Sequence, residues 1–328
     1  MGTTQTSSRP PIDDVLTPAH RAELTGFCYR MLGSAFDADD AVQETLTRAW
    51  RAYDRFEGRS EVRTWLYRIA SNVCFDTLRG RQRRALPMEM TGASRAADGL
   101  VGSPLPESAF VEPAPGNIVS SHPSDPADAV AERESIRLAF VAALQHLPPQ
   151  QRAVLILRDV LKWQASEVAE LLDTTVAAVN SALQRAHATM GARYQAGTPL
   201  EEPTDQAQRE LLARYVDAFE RYDIEALTSL IAADATQSMP PWAMWLRGRD
   251  EILDWWQGPG AGCRGSRLVA TEANGSVAFG QYKPDPAGGH APWSLQVLRL
   301  DSDGIAEFTF YLDVARMFPL FGLPDHLE

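Results

Sequence analysis

Apolar residues recur at helical spacing through most of the first two hundred positions, and at alternating spacing only in the last hundred. Leu16, Leu24, Phe27, Cys28, Met31 and Leu32 predict a helix over 12–35, with Gly33 as its stop. Ala38, Ala41, Val42, Leu46 and Ala49 predict a second over 37–52. Asp37 is its expected N-cap, and acids in the first turn suit the helix dipole. A loop over 53–60 carries Phe56, Gly58 and Arg59. Val62, Trp65, Leu66, Ile69 and Val73 then form the core stripe of a third helix over 61–79.

The pattern lapses over 86–127. Seven prolines, from Pro87 to Pro126, and scattered Gly and Ser predict a flexible linker. Helical spacing resumes over 128–147, breaks at Pro148-Pro149 and returns over 150–161. Two short helices, near 165–172 and 176–190, flank Asp173-Thr174-Thr175. Val168, Ala169, Leu171, Leu172, Val176, Val179, Leu183 and Ala186 give the compact core of a helix-turn-helix, with Thr175 as N-cap.

The last part reads differently. A long helix (206–222) and a shorter one (224–232) precede a strand near 236–239 and a helix with Ile252, Leu253, Trp255 and Trp256. Alternating segments follow at 267–272, 276–283, 293–300 and 306–312, separated by turn signals such as Asn274-Gly275. Helices followed by an antiparallel meander predict an α+β cone. The expected domains are a tail (1–11), a helical module (12–86), the linker (87–127), a helix-turn-helix module (128–194), a short linker (195–205) and the α+β domain (206–328).

Charge refines this division. The chain has net charge −12, which looks wrong for a nucleic-acid binder. Residues 19–85, however, hold 12 Arg against 9 acids, and residues 128–194 hold 7 basic against 7 acidic. Residues 199–328 hold 10 basic against 20 acidic, so the acidity sits in the last third. Cys28, Cys74 and Cys263 are far apart and form no Cys/His cluster, so no metal site or disulfide framework is expected. Cys28 and Cys74 fall in apolar patterns as buried thiols. No apolar run approaches the ~20 residues of a membrane span, and a soluble cytoplasmic protein is expected.

Asp39, Asp40, Gln43 and Glu44, with Arg48, lie off the apolar stripe of their helix. Arg63, Tyr67, Arg68, Asn72, Asp76 and Arg79 leave the stripe of the third. Arginines hold phosphates, Asn reads base edges, and an exposed Tyr stacks on bases. These two segments, followed by Leu147-Pro148-Pro149-Gln150-Gln151-Arg152 and the helix-turn-helix, resemble regions 2 and 4 of an extracytoplasmic-function sigma factor of the actinobacterial type. The C-terminal domain resembles the SnoaL-like branch of the NTF2-like fold.

The resemblance implies a bacterial RNA polymerase sigma factor, with the polymerase doing the chemistry. Asp39, Asp40, Gln43, Glu44 and Arg48 would dock on the clamp coiled coil, and the second module on the flap. Phe56 and Arg59 would capture a flipped base of the −10 element, with Arg63, Tyr67, Arg68, Asn72, Asp76 and Arg79 beside them. Thr174, Thr175, Ala177, Ala178, Asn180, Ser181, Gln184 and Arg185 would enter the −35 groove. Arg185 is nearly the only cation there, so phosphate anchoring is expected either to be weaker than usual or to come from Arg152, Arg158 and Lys162. Met239, Trp245, Trp255, Tyr282 and Trp293 either fill the last domain's core or line a pocket for a small-molecule ligand. Asp313 sits near the position of a catalytic Asp in related cyclases. No acid–base set accompanies it, so no catalysis and no cofactor are expected. An enzyme fused to a DNA-binding module is the alternative, distinguished by a complete acid–base set in the cone.

Overall fold

The computed structural model describes residues 16–56, 60–100, 102–116, 135–193 and 205–328. Two units emerge. Of the described residues, those within 16–81, Ser135 and those within 144–190 form one, and those within 82–116, 136–143 and 191–328 the other.

The first unit is helical. Helix α1 (Pro18–Leu32) starts where Thr17 Oγ1 accepts the His20 N–H, and stops at Gly33, whose φ of 72° lets its N–H reach Tyr29 O. Helix α2 (Ala35–Ala52) is capped by Ser34 rather than by Asp37, three residues earlier than expected. Asp37 instead accepts a bond from Arg81 at 3.0 Å. Helix α3 (Val62–Leu78) packs on both through Leu66, Ala70 and Val73. Cys28 and Cys74 meet in this core with sulfurs 3.7 Å apart, as thiols.

In chain order, short helix α4 (Pro87–Met90) and helix α5 (Leu138–Leu144) come next, and after helix α6 (Pro149–Leu155) the chain widens into one π-helical turn at Ile156–Val160. Helices α7 (Ala165–Leu171) and α8 (Val176–Arg193) form the helix-turn-helix. Asp173 in the turn takes φ 51°, the left-handed conformation that glycine adopts freely and Asp tolerates. Val176, expected in the core, is 44% exposed, because the first residue of α8 projects beyond the packed turn.

The second unit is α+β. Helices α9 (Asp205–Arg221) and α10 (Ile224–Thr228) lead into a sheet of β1 (Ile231–Ser238), β2 (Trp245–Arg247), β3 (Arg267–Ala273), β4 (Ser276–Pro284), β5 (His290–Asp301) and β6 (Gly304–Tyr311). The strand order is β2-β1-β6-β5-β4-β3, antiparallel except for β1 with β6. The second helix ends at Thr228, and residues 231–232, expected in it, begin β1. Tyr215, Phe219, Ile252, Trp256 and Phe308 centre the core under α9 and α11 (Arg249–Gln257). Helix α12 (Val314–Leu320), not expected, closes the chain.

The expected flexible linker is the largest departure. Residues 82–116 belong to the second unit and are hydrogen-bonded into it. The Ser94 N–H donates to Trp245 O at 2.8 Å, Leu105 N–H to Pro241 O at 2.8 Å, and Ala114 N–H to Asn274 Oδ1 at 2.9 Å. Phe110, Val111 and Ala114 are buried. Backbone hydrogen bonds to a neighbouring fold order a segment whose own sequence has no period. Expected linker residues 117–127 and 195–204 lie outside the described residues, as does the 128–134 part of the expected helix, whose described portion is Leu138–Leu144.

Candidate functional site

On α2, apolar Ala38, Ala41, Val42 and Ala49 face the core and leave Asp39, Asp40, Gln43 and Glu44 exposed. Arg21 pairs with Asp39 at 3.1 Å, and Gln43 donates to Asp39 at 2.7 Å. Arg48 is tied to Glu44 at 2.7 Å and to Asp76 at 3.3 Å, which raises its pKa. Asp76 also holds Arg79 at 3.3 Å. Arg48 and Asp76, read from the sequence as belonging to different surfaces, therefore join α2 to α3. The sequence reading missed Trp50, whose ring is 66% exposed at the end of this acidic helix.

Helix α3 does not present a free basic face. Tyr67, expected exposed, is 1% exposed. Its ring meets Phe27 edge-on at 5.2 Å and Trp163 at 5.0 Å. Burial and the Glu23 carboxylate push its hydroxyl well above the usual phenol range. Arg63 donates to Glu23 at 2.7 Å and lies over the Trp163 ring at 5.0 Å. Arg68 donates to the backbone carbonyl of Glu170 at 3.0 Å. Three expected DNA-contacting residues are thus clasped by the segment around Trp163 that opens the helix-turn-helix. Asn72 and Arg79 are exposed. Phe56 stacks on Trp65 at 4.7 Å, while Arg59 lies outside the described residues.

The recognition helix is open. Thr175 Oγ1 accepts the Ala178 N–H at 3.1 Å and starts α8, as the capping argument requires. Thr175, Ala177, Ala178, Asn180, Gln184 and Arg185 are exposed, and Thr174 and Ser181 half-buried. Ser181 accepts a bond from Arg185 at 2.6 Å. Of the three proposed phosphate anchors, Lys162 is exposed. Arg152 is not available: it is buried and donates to Gln145 Oε1 at 2.6 Å, to Leu147 O and to Met31 O. Arg158 turns inward to Trp163 O.

In the C-terminal unit, Met239, Trp255 and Trp293 line a cleft of about 350 Å³ measured out to its open mouth. Trp245, Tyr282 and Asp313 are not part of it. The Trp245 indole donates to Thr91 O and helps hold the 82–116 segment. Tyr282 packs edge-on against Phe318 and donates to Pro324 O. Asp313 pairs with Arg316 at 3.2 Å. Arg316 also binds Glu107 and, at 3.2 Å, the buried Glu112, which Arg84 approaches from the other side at 3.5 Å. The reading from sequence missed Gln237, Tyr222 and Cys263 in the cleft. Gln237 is buried on β1, but nothing local in its sequence distinguishes a cleft wall from a core. Among the described residues no group of His, Cys, Asp and Glu is placed to hold a metal, and no helix is long and apolar enough to cross a membrane.

Comparison with known proteins gives three consecutive family matches: Sigma-70 region 2 over residues 16–84, Sigma-70 region 4 over 137–190, and SnoaL-like domain over 212–308. The chain is 45% identical to the ECF RNA polymerase sigma factor SigG of Mycobacterium tuberculosis, covering 98% of this chain and 88% of that protein. It is 28% identical to SigJ of the same organism over 72% of this chain and 69% of SigJ. The crystal structure of M. tuberculosis SigJ superposes with a TM-score of 0.57 at 24% identity, covering 93% of this chain and 98% of that one, which shows a shared fold.

Proposed function

We propose a division of labour that proceeds from one premise: this chain belongs to the extracytoplasmic-function RNA polymerase sigma factors and directs promoter recognition in transcription initiation, with a SnoaL-like domain at its C-terminal end. The acidic α2 face, with Asp39, Asp40, Gln43 and Glu44, docks on the clamp coiled coil of core polymerase. Trp50 adds an exposed aromatic anchor beside it. Carboxylates at this surface steer approach to basic partner groups. The exposed positions of α8 read the −35 element, with Asn180, Gln184 and Arg185 supplying base-edge contacts.

The observation that carries this reading is a contrast in availability. The −35 face is open, whereas Arg63, Tyr67 and Arg68 of the −10 face are engaged by Trp163 and Glu170. The chain in this arrangement is closed for −10 reading, and opening must accompany polymerase and promoter binding. A state competent for DNA that is only partly populated lowers apparent affinity in proportion.

The C-terminal domain acts as a built-in regulator through residues 82–116, the segment that connects the two sigma modules. Its hydrogen bonds to that segment support this role. A small molecule in the cleft shifts the arrangement to the extent that it binds one state better. Run-off transcription with core polymerase tests the reading, comparing the full chain with a full-length Trp245→Phe variant, which loses the indole bond to Thr91 O that helps hold residues 82–116. Equal promoter choice and output from both would remove the regulatory role. Absence of transcripts from the full chain on every promoter tested would remove the assignment of the DNA-reading faces.

A further inference from the structure

The cleft in the C-terminal domain has a chemical character that the regulatory reading does not specify. Its walls are aromatic: Trp255, Trp256, Trp293 and Phe310. Its one buried amide is Gln237, 1% exposed. The indole N–H of Trp256 donates to Gln237 at 2.7 Å. An indole nitrogen only donates, so the amide oxygen must face it. The NH2 group of Gln237 then has two donors and no acceptor among the described residues. That NH2 is not among the fully buried atoms without a partner, so it is reachable from the cleft and free to donate to an occupant.

Two cations sit against the lining rings. Lys283 Nζ lies 3.2 Å from the centroid of the Trp293 ring, and the Arg264 guanidinium lies 4.8 Å from that of Tyr222. Both rings line the cleft. Neither cation has a carboxylate partner among the described residues. This is unexpected from composition, since acids outnumber bases two to one over residues 199–328. Four of the other eight cations of residues 199–328, Arg221, Arg267, Arg299 and Arg316, are ion-paired. Lys283 is also one of only two lysines in the chain.

These features together point to one ligand class, and we infer that the cleft binds a planar aromatic organic anion. Its ring system stacks among the tryptophans, an oxygen accepts from the Gln237 amide, and its carboxylate or phenolate meets Lys283 and Arg264. Flat rings suit tryptophan walls because offset and edge-on ring contacts are favoured. A cation already lying on an aromatic face gains further from an anion beside it, and the partly dry cleft strengthens that attraction. The inference rests on the reading of the C-terminal domain as ligand-responsive.

Quenching of intrinsic tryptophan fluorescence in the full chain tests it, with 2-naphthoate and its neutral isostere 2-naphthamide as probes. The expected result is at least tenfold tighter binding of the acid. The double variant Lys283→Gln, Arg264→Gln should abolish that preference and leave amide binding unchanged. Gln237→Leu should weaken both probes, with far-UV circular dichroism verifying the fold of each variant. Equal binding of acid and amide by the unmodified chain would overturn the anion assignment alone. Binding of neither probe would overturn the inference together with the ligand-responsive reading. Acid preference that survives the double variant would place the anion elsewhere and overturn it too. The effect of Trp245→Phe on transcription is a separate measurement, so failure of regulation is distinguishable from failure of binding.

Discussion

Loosening the Trp163 clasp should make the −10 face more available, and the structure sets the size of the effect. Trp163 is 5% exposed and touches Tyr67 ring to ring at 5.0 Å, with Arg63 over its face. The ring pair contributes about 0.5–1.5 kcal/mol beyond area burial. The half-exposed Arg63 adds roughly 0.5–1 kcal/mol. Against these stands the Trp163 indole N–H, which is buried without a hydrogen-bond partner and costs about 1–3 kcal/mol. Gains and cost are of similar size, so the clasp is weak and sensitive to one side chain. In a double-mutant cycle, Tyr67→Leu and Trp163→Leu should couple by about 0.5–1.5 kcal/mol in denaturant unfolding. In a mostly closed chain, losing that coupling is worth a roughly 2- to 13-fold gain in apparent affinity for a −10 strand, reduced by the indole N–H cost that the same substitution removes. Trp163→Leu should show this gain in anisotropy with a labelled single-stranded −10 oligonucleotide, in the presence of core polymerase. Unchanged or weaker binding in a folded variant would refute the clasp as a barrier.

Four further outcomes are expected. The triple variant Asp39→Ala, Asp40→Ala, Glu44→Ala touches no core position, so it should stay folded and lose core-polymerase pull-down; full retention would contradict the docking face. Substituting Asn180 or Gln184 with Ala should cost about 1–3 kcal/mol at a −35 base contact and lower output from −35-dependent promoters, leaving polymerase binding intact. Arg84→Ala removes a cation beside the buried Glu112, leaving Arg316, and should destabilise the C-terminal unit by about 1–3 kcal/mol, read from its thermal midpoint. Burial pushes the Tyr222 hydroxyl up to about 12 from an ordinary 10.0. Because the folded value is the higher one, this stabilisation is complete below pH 10 and is lost as pH rises toward 12. The stability advantage of the unmodified chain over Tyr222→Phe should therefore shrink across that window.

Much of the fold was legible because most of its elements follow a strong local period. The α2 and α3 stripes, the turn at Asp173 and the four strands from 267 onward lie within two or three residues of where spacing and turn chemistry put them, whereas α1, expected over 12–35, starts only at Pro18. The misplacements share a cause. Tyr67 leaves the stripe of its own helix, so periodicity assigns it to solvent, yet Trp163, nearly a hundred residues on, covers it. Arg152 reads as a surface cation because nothing in its neighbourhood shows that the carbonyls of Leu147 and Met31 will surround it. Residues 82–116 have no period because their partners are the edges of another domain rather than their own turns. In the cleft, aromatic composition suggested Met239, Trp255 and Trp293, but which rings leave space between them depends on sheet curvature, which no local pattern encodes.

The capture of residues 82–116 also bears on how this protein is made. Their hydrogen-bond partners at Ala243, Trp245, Asn274 and Tyr311 lie roughly 150–200 residues downstream. At about 5–20 residues per second, the ribosome delivers those partners on the order of 10–40 s after the segment itself. During that interval Phe110 and Val111, buried in the finished fold, have no cover. The C-terminal domain is therefore not a cassette that evolution or an engineer can append or exchange at residue 205. A working graft must carry the stretch between the sigma modules along with it, and a recombination point that separates the two leaves both halves incomplete.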